Sequence, residues 1–162
     1  MASTARTGVT GFTTPTDLEI VITRVVDAPR RLVFDAFTDP KHVPHWLTGP
    51  EGWTMPVCEI DLRPGGAWRY VYRKAGGSEM TLHGTFLEVA PPGRVVATES
   101  WGPEWPETVN TTELAESGRQ TTITITVRYP SKAARDEALR TGAADGMDRS
   151  FARLDALLET LV

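Results

Sequence analysis

Cysteine occurs once in 162 residues, so no internal disulfide can form, and Cys58, in the apolar-alternating stretch Met55 to Ile60, is expected to be a small buried thiol without a redox role. No apolar run reaches the ~18 residues that a membrane-crossing helix needs, and the opening residues Met1 to Gly8 hold no hydrophobic signal core. Membrane insertion and secretion are therefore not expected, and a cytoplasmic location is. Lysine and arginine together number 17 against 21 acidic residues, a net charge of −4, and they are spread along the chain. That distribution offers no basic stripe to follow a phosphate backbone, which argues against nucleic acid as a partner. Histidine is scarce as well, at three residues. His42 and His45 can share one side of a short helix, but no third ligand completes a site, so neither a metal nor another cofactor is expected. No nucleophile elbow surrounds Ser100, Ser150 or Cys58.

What the chain does have is a turn joined to an aromatic strand. In Asp61 to Tyr72, Pro64 fixes its own φ and Gly65-Gly66 can adopt positive φ, which predicts a hairpin; Asp61 and Arg63 are placed to pin it. On the strand that follows, Trp68, Tyr70 and Tyr72 share one face, with Arg69, Val71 and Arg73 on the other. Three rings with apolar bodies and polar tips can line a cavity for a partly polar small molecule, or can simply fill a core.

The length suits one domain. Residues 1–16, rich in Thr, Ser, Gly and Ala, read as a flexible N-terminal arm that orders only toward its end, and residues 17–162 as the domain. Leu18 to Val26 is a beta-branched strand that ends at Asp27-Ala28-Pro29, where Asp27 can cap a short helix carrying Val33, Phe34 and Phe37. Pro40 and Pro44 bracket a second short helix ending at Trp46 and Leu47. Strands follow at Met55 to Asp61, Ala67 to Arg73, Met80 to Val89, Arg94 to Trp101, Glu107 to Ala115 and Thr121 to Tyr129, separated by short breaks suited to antiparallel hairpins. After Pro130 the period changes from two to about 3.6, and Ala143, Met147, Phe151, Leu154, Leu158 and Leu161 form the stripe of a long amphipathic helix. Gly142 and Gly146 predict a kink or gap in its early part. The fold class is α+β: seven antiparallel strands whose inner face the terminal helix covers, incompletely if the sheet curls strongly.

From Leu18 to Leu161 the chain resembles the heat-shock-protein-90 ATPase activator-like branch of the SRPBCC superfamily, the START and birch-pollen-allergen-like helix-grip proteins. The resemblance rests on Asp27-Ala28-Pro29, on Val33 to Pro40, on Trp46, on Asp61 to Trp68, on Gly84 with Pro91-Pro92, and on Gly142 and Gly146 ahead of Leu154. It implies a curved seven-stranded antiparallel sheet around a long C-terminal helix, two short helices after the first strand, and a hydrophobic cavity between helix and sheet. The activities it implies range from lipid and hormone carriage through polyketide cyclisation and sequestration of natural products to a co-chaperone role.

The candidate ligand-binding residues are Trp46, Trp68, Tyr70, Tyr72, His83, Trp101, Trp105, Met147 and Phe151. Trp101 and Trp105 lie in a proline-stiffened loop that can frame a cavity mouth. Met147 and Phe151 belong to the helix stripe, where Met adapts to irregular partners. The first expectation is a non-catalytic module that binds a hydrophobic or aromatic small molecule. The alternatives are a cyclase/dehydratase- or hydrolase-like enzyme, with His83 as base and Tyr70 or Tyr72 as proton-transfer partner, and a stress-related interaction protein presenting an apolar convex face. A homodimer is left open.

Overall fold

The computed structural model describes residues 7–141 and 143–162. The chain runs β1 (Gly11–Thr13), β2 (Glu19–Val26), α1 (Arg30–Thr38), a 3-10 turn (Val43–His45), β3 (Trp53–Ile60), β4 (Ala67–Lys74), β5 (Glu79–Ala90), β6 (Arg94–Glu99), β7 (Thr108–Ser117), β8 (Gln120–Arg128), α2 (Lys132–Arg140) and α3 (Ala143–Leu161). The strands form one antiparallel sheet in the order β1-β2-β8-β7-β6-β5-β4-β3.

Three details differ from the sequence reading. The sheet has eight strands, because Gly11–Thr13 pairs with Val21 to Thr23 of β2. Three residues of a polar arm carry almost no period-two signal, and what orders them is the free edge of β2. The first six residues of the expected arm lie outside the described residues. The second short helix is one 3-10 turn, since Pro44 leaves room for little more. The terminal helix is two helices, α2 and α3, divided at the place where the glycines predicted a gap. Gly142 itself lies outside the described residues; Gly146 sits within α3.

Helix α1 starts at Pro29 with no side-chain cap of its own. Asp27 instead accepts a hydrogen bond from Gln120 Nε2 at 2.7 Å, and Glu116 Oε2 takes the Arg30 N–H at 2.8 Å. A carboxylate from the end of β7 therefore does the work of a cap and ties helix to sheet. The β3–β4 turn is built as the sequence suggests. Gly65 has φ +84°, a Cβ on Gly66 would collide with the Asp61 carbonyl, and Arg63 Nη2 pairs with Asp61 at 2.9 Å.

The core divides into two clusters. One joins Phe151, Leu154 and Leu158 of α3 to Ile123 and Ile125 of β8 and to Val33, Phe34 and Trp46. The other gathers Val43, Met55, Trp68, Tyr72, Leu82 and Phe86 over β3, β4 and β5. The interior also holds a hollow, which α3 borders with Gly146, Met147 and Ser150.

Candidate functional site

The hollow is a cavity of about 820 Å³. Its floor follows strand periodicity: Trp68, Tyr70 and Tyr72 from β4; Met80, Leu82 and Phe86 from β5; Val95, Ala97 and Glu99 from β6. Strands β7 and β8 continue it through Thr108, Asn110, Ile125 and Val127, with Tyr129 just beyond β8. Phe34 and Phe37 of α1 and Met147 of α3 supply the roof, and Ala134 and Ala138 of α2 one side. Trp101 and Trp105, 40% and 44% exposed, stand at the rim.

Seven of the nine candidates therefore share one space: Trp46, Trp68, Tyr70, Tyr72, Trp101, Trp105 and Met147. Trp68 is fixed in the wall by its indole N–H, which donates to the Thr98 carbonyl at 3.1 Å across β5. Gly84 makes that reach feasible, because a Cβ there would meet both the Thr98 carbonyl and the Trp68 indole nitrogen. Trp46 is wholly buried at the back, donating to the Ala36 carbonyl at 2.8 Å and tilted against Phe37 with ring centroids 4.8 Å apart.

Two candidates fall elsewhere. His83 is exposed on the outer face of β5, opposite Arg69 in register, because its parity is opposite to that of the inward Leu82 and Phe86. Phe151 is completely buried, stacked with Trp46 at 6.2 Å and covered by the Arg24 guanidinium at 5.6 Å, so it fills core and does not line the cavity. Cys58, half-buried on β3, has its thiol pushed up to about 11 by burial and by Asp39 and Glu59, which leaves it a neutral side chain at ordinary pH.

The residue that the sequence reading passed over is Glu99. It ends β6 on the same parity as Val95 and Ala97, so its carboxylate enters an otherwise apolar row. It is half-buried and lines the cavity. Trp101 Nε1–H donates to Oε1 at 2.5 Å and Asn110 Nδ2–H to Oε2 at 2.9 Å. The buried Thr108 hydroxyl donates to Asn110 Oδ1 at 3.1 Å, which turns the amide so that its N–H groups face the carboxylate. Burial raises the Glu99 pKa despite those two hydrogen bonds. Its charge is felt by the phenols of Tyr70, Tyr72 and Tyr129, all held above their ordinary range chiefly by burial, Tyr129 at about 12. The signal was available: an acid continuing the inward row of a strand is a buried polar group that needs an explanation.

The other charges around the cavity are neutralised or peripheral. Arg94 is bound to Glu88 at 2.7 Å and Glu113 at 2.9 Å, and Glu137 to Arg140 at 2.6 Å, whereas Glu104 is exposed at the rim. Glu99 forms no ion pair among the described residues, and no group of His, Cys, Asp and Glu suited to a metal occurs among them.

The pattern of the family described as Activator of Hsp90 ATPase homolog 1-like protein matches residues 27–159. A crystal structure of a protein from Rhodobacter sphaeroides superposes with a TM-score of 0.88 at 25% identity, covering 95% of this chain and 100% of that one. One from Chromobacterium violaceum gives a TM-score of 0.74 at 30% identity, covering 87% and 97%. The solution structure of an AHSA1-like protein from Aeromonas hydrophila, at 20% identity and a TM-score of 0.67, shares the fold over 82% of this chain and 91% of that one. No curated protein matches the chain.

Proposed function

Because the chain belongs to the Activator of Hsp90 ATPase homolog 1-like protein family, a branch of the helix-grip SRPBCC superfamily, we propose that it takes up a hydrophobic or aromatic small molecule between sheet and C-terminal helix without transforming it. The observation that carries this reading is the 820 Å³ of interior left open beside indole, phenol and aliphatic walls. Such a volume suits a drug-sized ligand, and the few polar groups within it can orient one. With His83 outside, the enzymatic alternative loses the base it named. The interaction alternative needs an apolar convex face, but the outer faces of β3 to β7 carry the ion pairs Arg69–Glu59, Arg73–Glu79 and Arg94–Glu113.

The test is to fill the hollow. Ala97 lies on its floor between Val95 and Glu99, so Ala97→Phe places a ring in vacant space and leaves the walls intact. The neutral dye N-phenylnaphthylamine is expected to bind the wild type with enhanced fluorescence and to bind Ala97→Phe roughly tenfold more weakly or not at all, the loss expected when a ligand's volume is taken by a side chain. Failure of the wild type to bind, or equal binding by the variant, refutes the proposal. Native mass spectrometry of the purified protein would reveal a co-purifying ligand directly.

A further inference from the structure

Among the described residues that line the cavity, Glu99 is the half-buried charge that forms no ion pair, and it is negative. Both oxygens of Glu99 already accept an N–H, from Trp101 and Asn110, an arrangement suited to the carboxylate, and each oxygen keeps a lone pair for a further donor. No cation of the described chain reaches it. The nearest arginine on its own strand, Arg94, is committed to Glu88 and Glu113. Around the carboxylate stand electron-rich rings: Tyr70 and Tyr72 from β4, Trp101 from the rim and Tyr129 beyond β8. We propose that the ligand carries a basic nitrogen, a protonated amine on a hydrophobic or aromatic body, with the ammonium seated against Glu99 and the body along the β4 and β5 wall.

Carboxylate and ammonium each resist transfer into an apolar interior alone, and each relieves the other when they meet there. Aromatic faces add attraction for a cation and none for an anion. The same geometry selects against fatty acids and other carboxylates, which would face a like charge, and among the described lining residues the one cation, Arg94, is already paired. The raised pKa of Glu99 agrees, since burial resists its charge and the hydrogen bonds from Trp101 and Asn110 do not fully offset that.

This inference rests on the reading of the cavity as a binding site and deepens it, so the experiment separates the two. Naphthylmethylamine, naphthylmethanol and naphthoate share one ring system and differ in charge, and each is titrated near neutral pH by calorimetry. The wild type is expected to bind the amine most tightly, the alcohol less and the naphthoate least. Glu99→Gln removes the charge and is expected to weaken the amine by roughly thirtyfold, the lower end of what removing one partner of a buried charge pair does, and so to erase its preference over the alcohol. Naphthoate binding as tightly as the amine, or a Glu99→Gln variant that keeps the amine preference, overturns the basic-nitrogen proposal and leaves the cavity reading standing. If none of the three binds, both fall. The wild-type series needs no variant, so it decides the question even if Glu99→Gln were to misfold.

Discussion

Arg24 and Glu99 are both charged groups on the inner face of one sheet, and the protein treats them in opposite ways. Arg24 lies in the half where α3 reaches the strands, its side chain only 4% exposed, with Nη2 on Asp155 at 2.6 Å, Nη1 on Thr10 at 2.7 Å and Asp148 at 3.5 Å. Phe151 packs beneath its guanidinium, and Nε has no hydrogen-bond partner among the described residues. Here the counter-charge belongs to the chain, and the pair fastens helix to sheet. Glu99 lies beside the hollow, and its partners among the described residues are two neutral N–H groups. A charge answered within the chain secures structure, whereas one left unanswered beside open volume is fitted to something the chain does not contain.

The comparison breaks most visibly at Arg24. Asp155→Ala removes its shortest carboxylate contact and leaves a desolvated guanidinium, which is expected to lower stability by about 3 kcal/mol in urea denaturation, at the low end for a buried pair because Asp155 is 35% exposed. Arg24→Met removes the buried charge itself and leaves two carboxylates that water can reach, so it should be the milder substitution. A loss within about 0.5 kcal/mol for Asp155→Ala would mean that the pair is ornamental and the contrast with Glu99 is lost.

Glu99 should show the reverse sign. Its folded pKa is raised above the ordinary 4.5, so below 4.5 both folded and unfolded chains carry the proton and the folded state bears no penalty. As pH rises through 4.5 and then through the raised value, the unfolded chain releases its proton first and stability is lost. The groups facing it, Tyr70, Tyr72 and Tyr129, with Cys58 behind them, are all pushed up and stay neutral throughout that window. Glu99→Gln sets an NH2 against one of the two N–H donors, a cost that does not depend on pH, so relative to the wild type its melting temperature is expected to be higher at about pH 8 than at about pH 4. The same difference from the wild type at both pH values would show that the carboxylate is compensated after all.

Much of this contrast was written in strand parity, and the sequence reading used parity unevenly. Three rings in alternation make Trp68, Tyr70 and Tyr72 stand out as candidates for a wall or a core, and all three line the cavity. The same rule excludes His83, one position out of phase with Leu82 and Phe86, and it includes Glu99, in phase with Val95 and Ala97. It also marks Arg24 as inward, in phase with Ile20, Ile22 and Val26. A lone polar residue in an apolar row reads as noise until its partners are known, and those partners are 131 residues away for Arg24 and on the neighbouring strand for Glu99. Phe151 was legible as stripe, with cavity and core both open to it, and the stacking of Trp46 against it is what makes it core. The eighth strand had no local signal; β2's open edge made it.

The border between the two halves can be sharpened at Gly146, where the effect should be smallest. Alanine there gains about 1 kcal/mol of helix propensity, but its Cβ would stand 3.3 Å from Pro50 Cδ, on the loop that leads into β3 along the cavity rim. Crowding of that degree needs the loop to yield by a few tenths of an ångström, so the two effects should nearly cancel and Gly146→Ala should change stability by less than about 0.5 kcal/mol. A gain of the full helix propensity would show that the Gly49-Pro50 segment moves freely and that the packed half could spread into the hollow one. A loss above about 1 kcal/mol would show the segment held rigid. It is already gripped from α3, with the Gly49 N–H donating to Ser150 Oγ at 2.9 Å and Arg153 Nη1 donating to the Gly49 carbonyl at 2.7 Å. The size of the change therefore measures how firmly the filled end of the helix fixes the edge of the empty one.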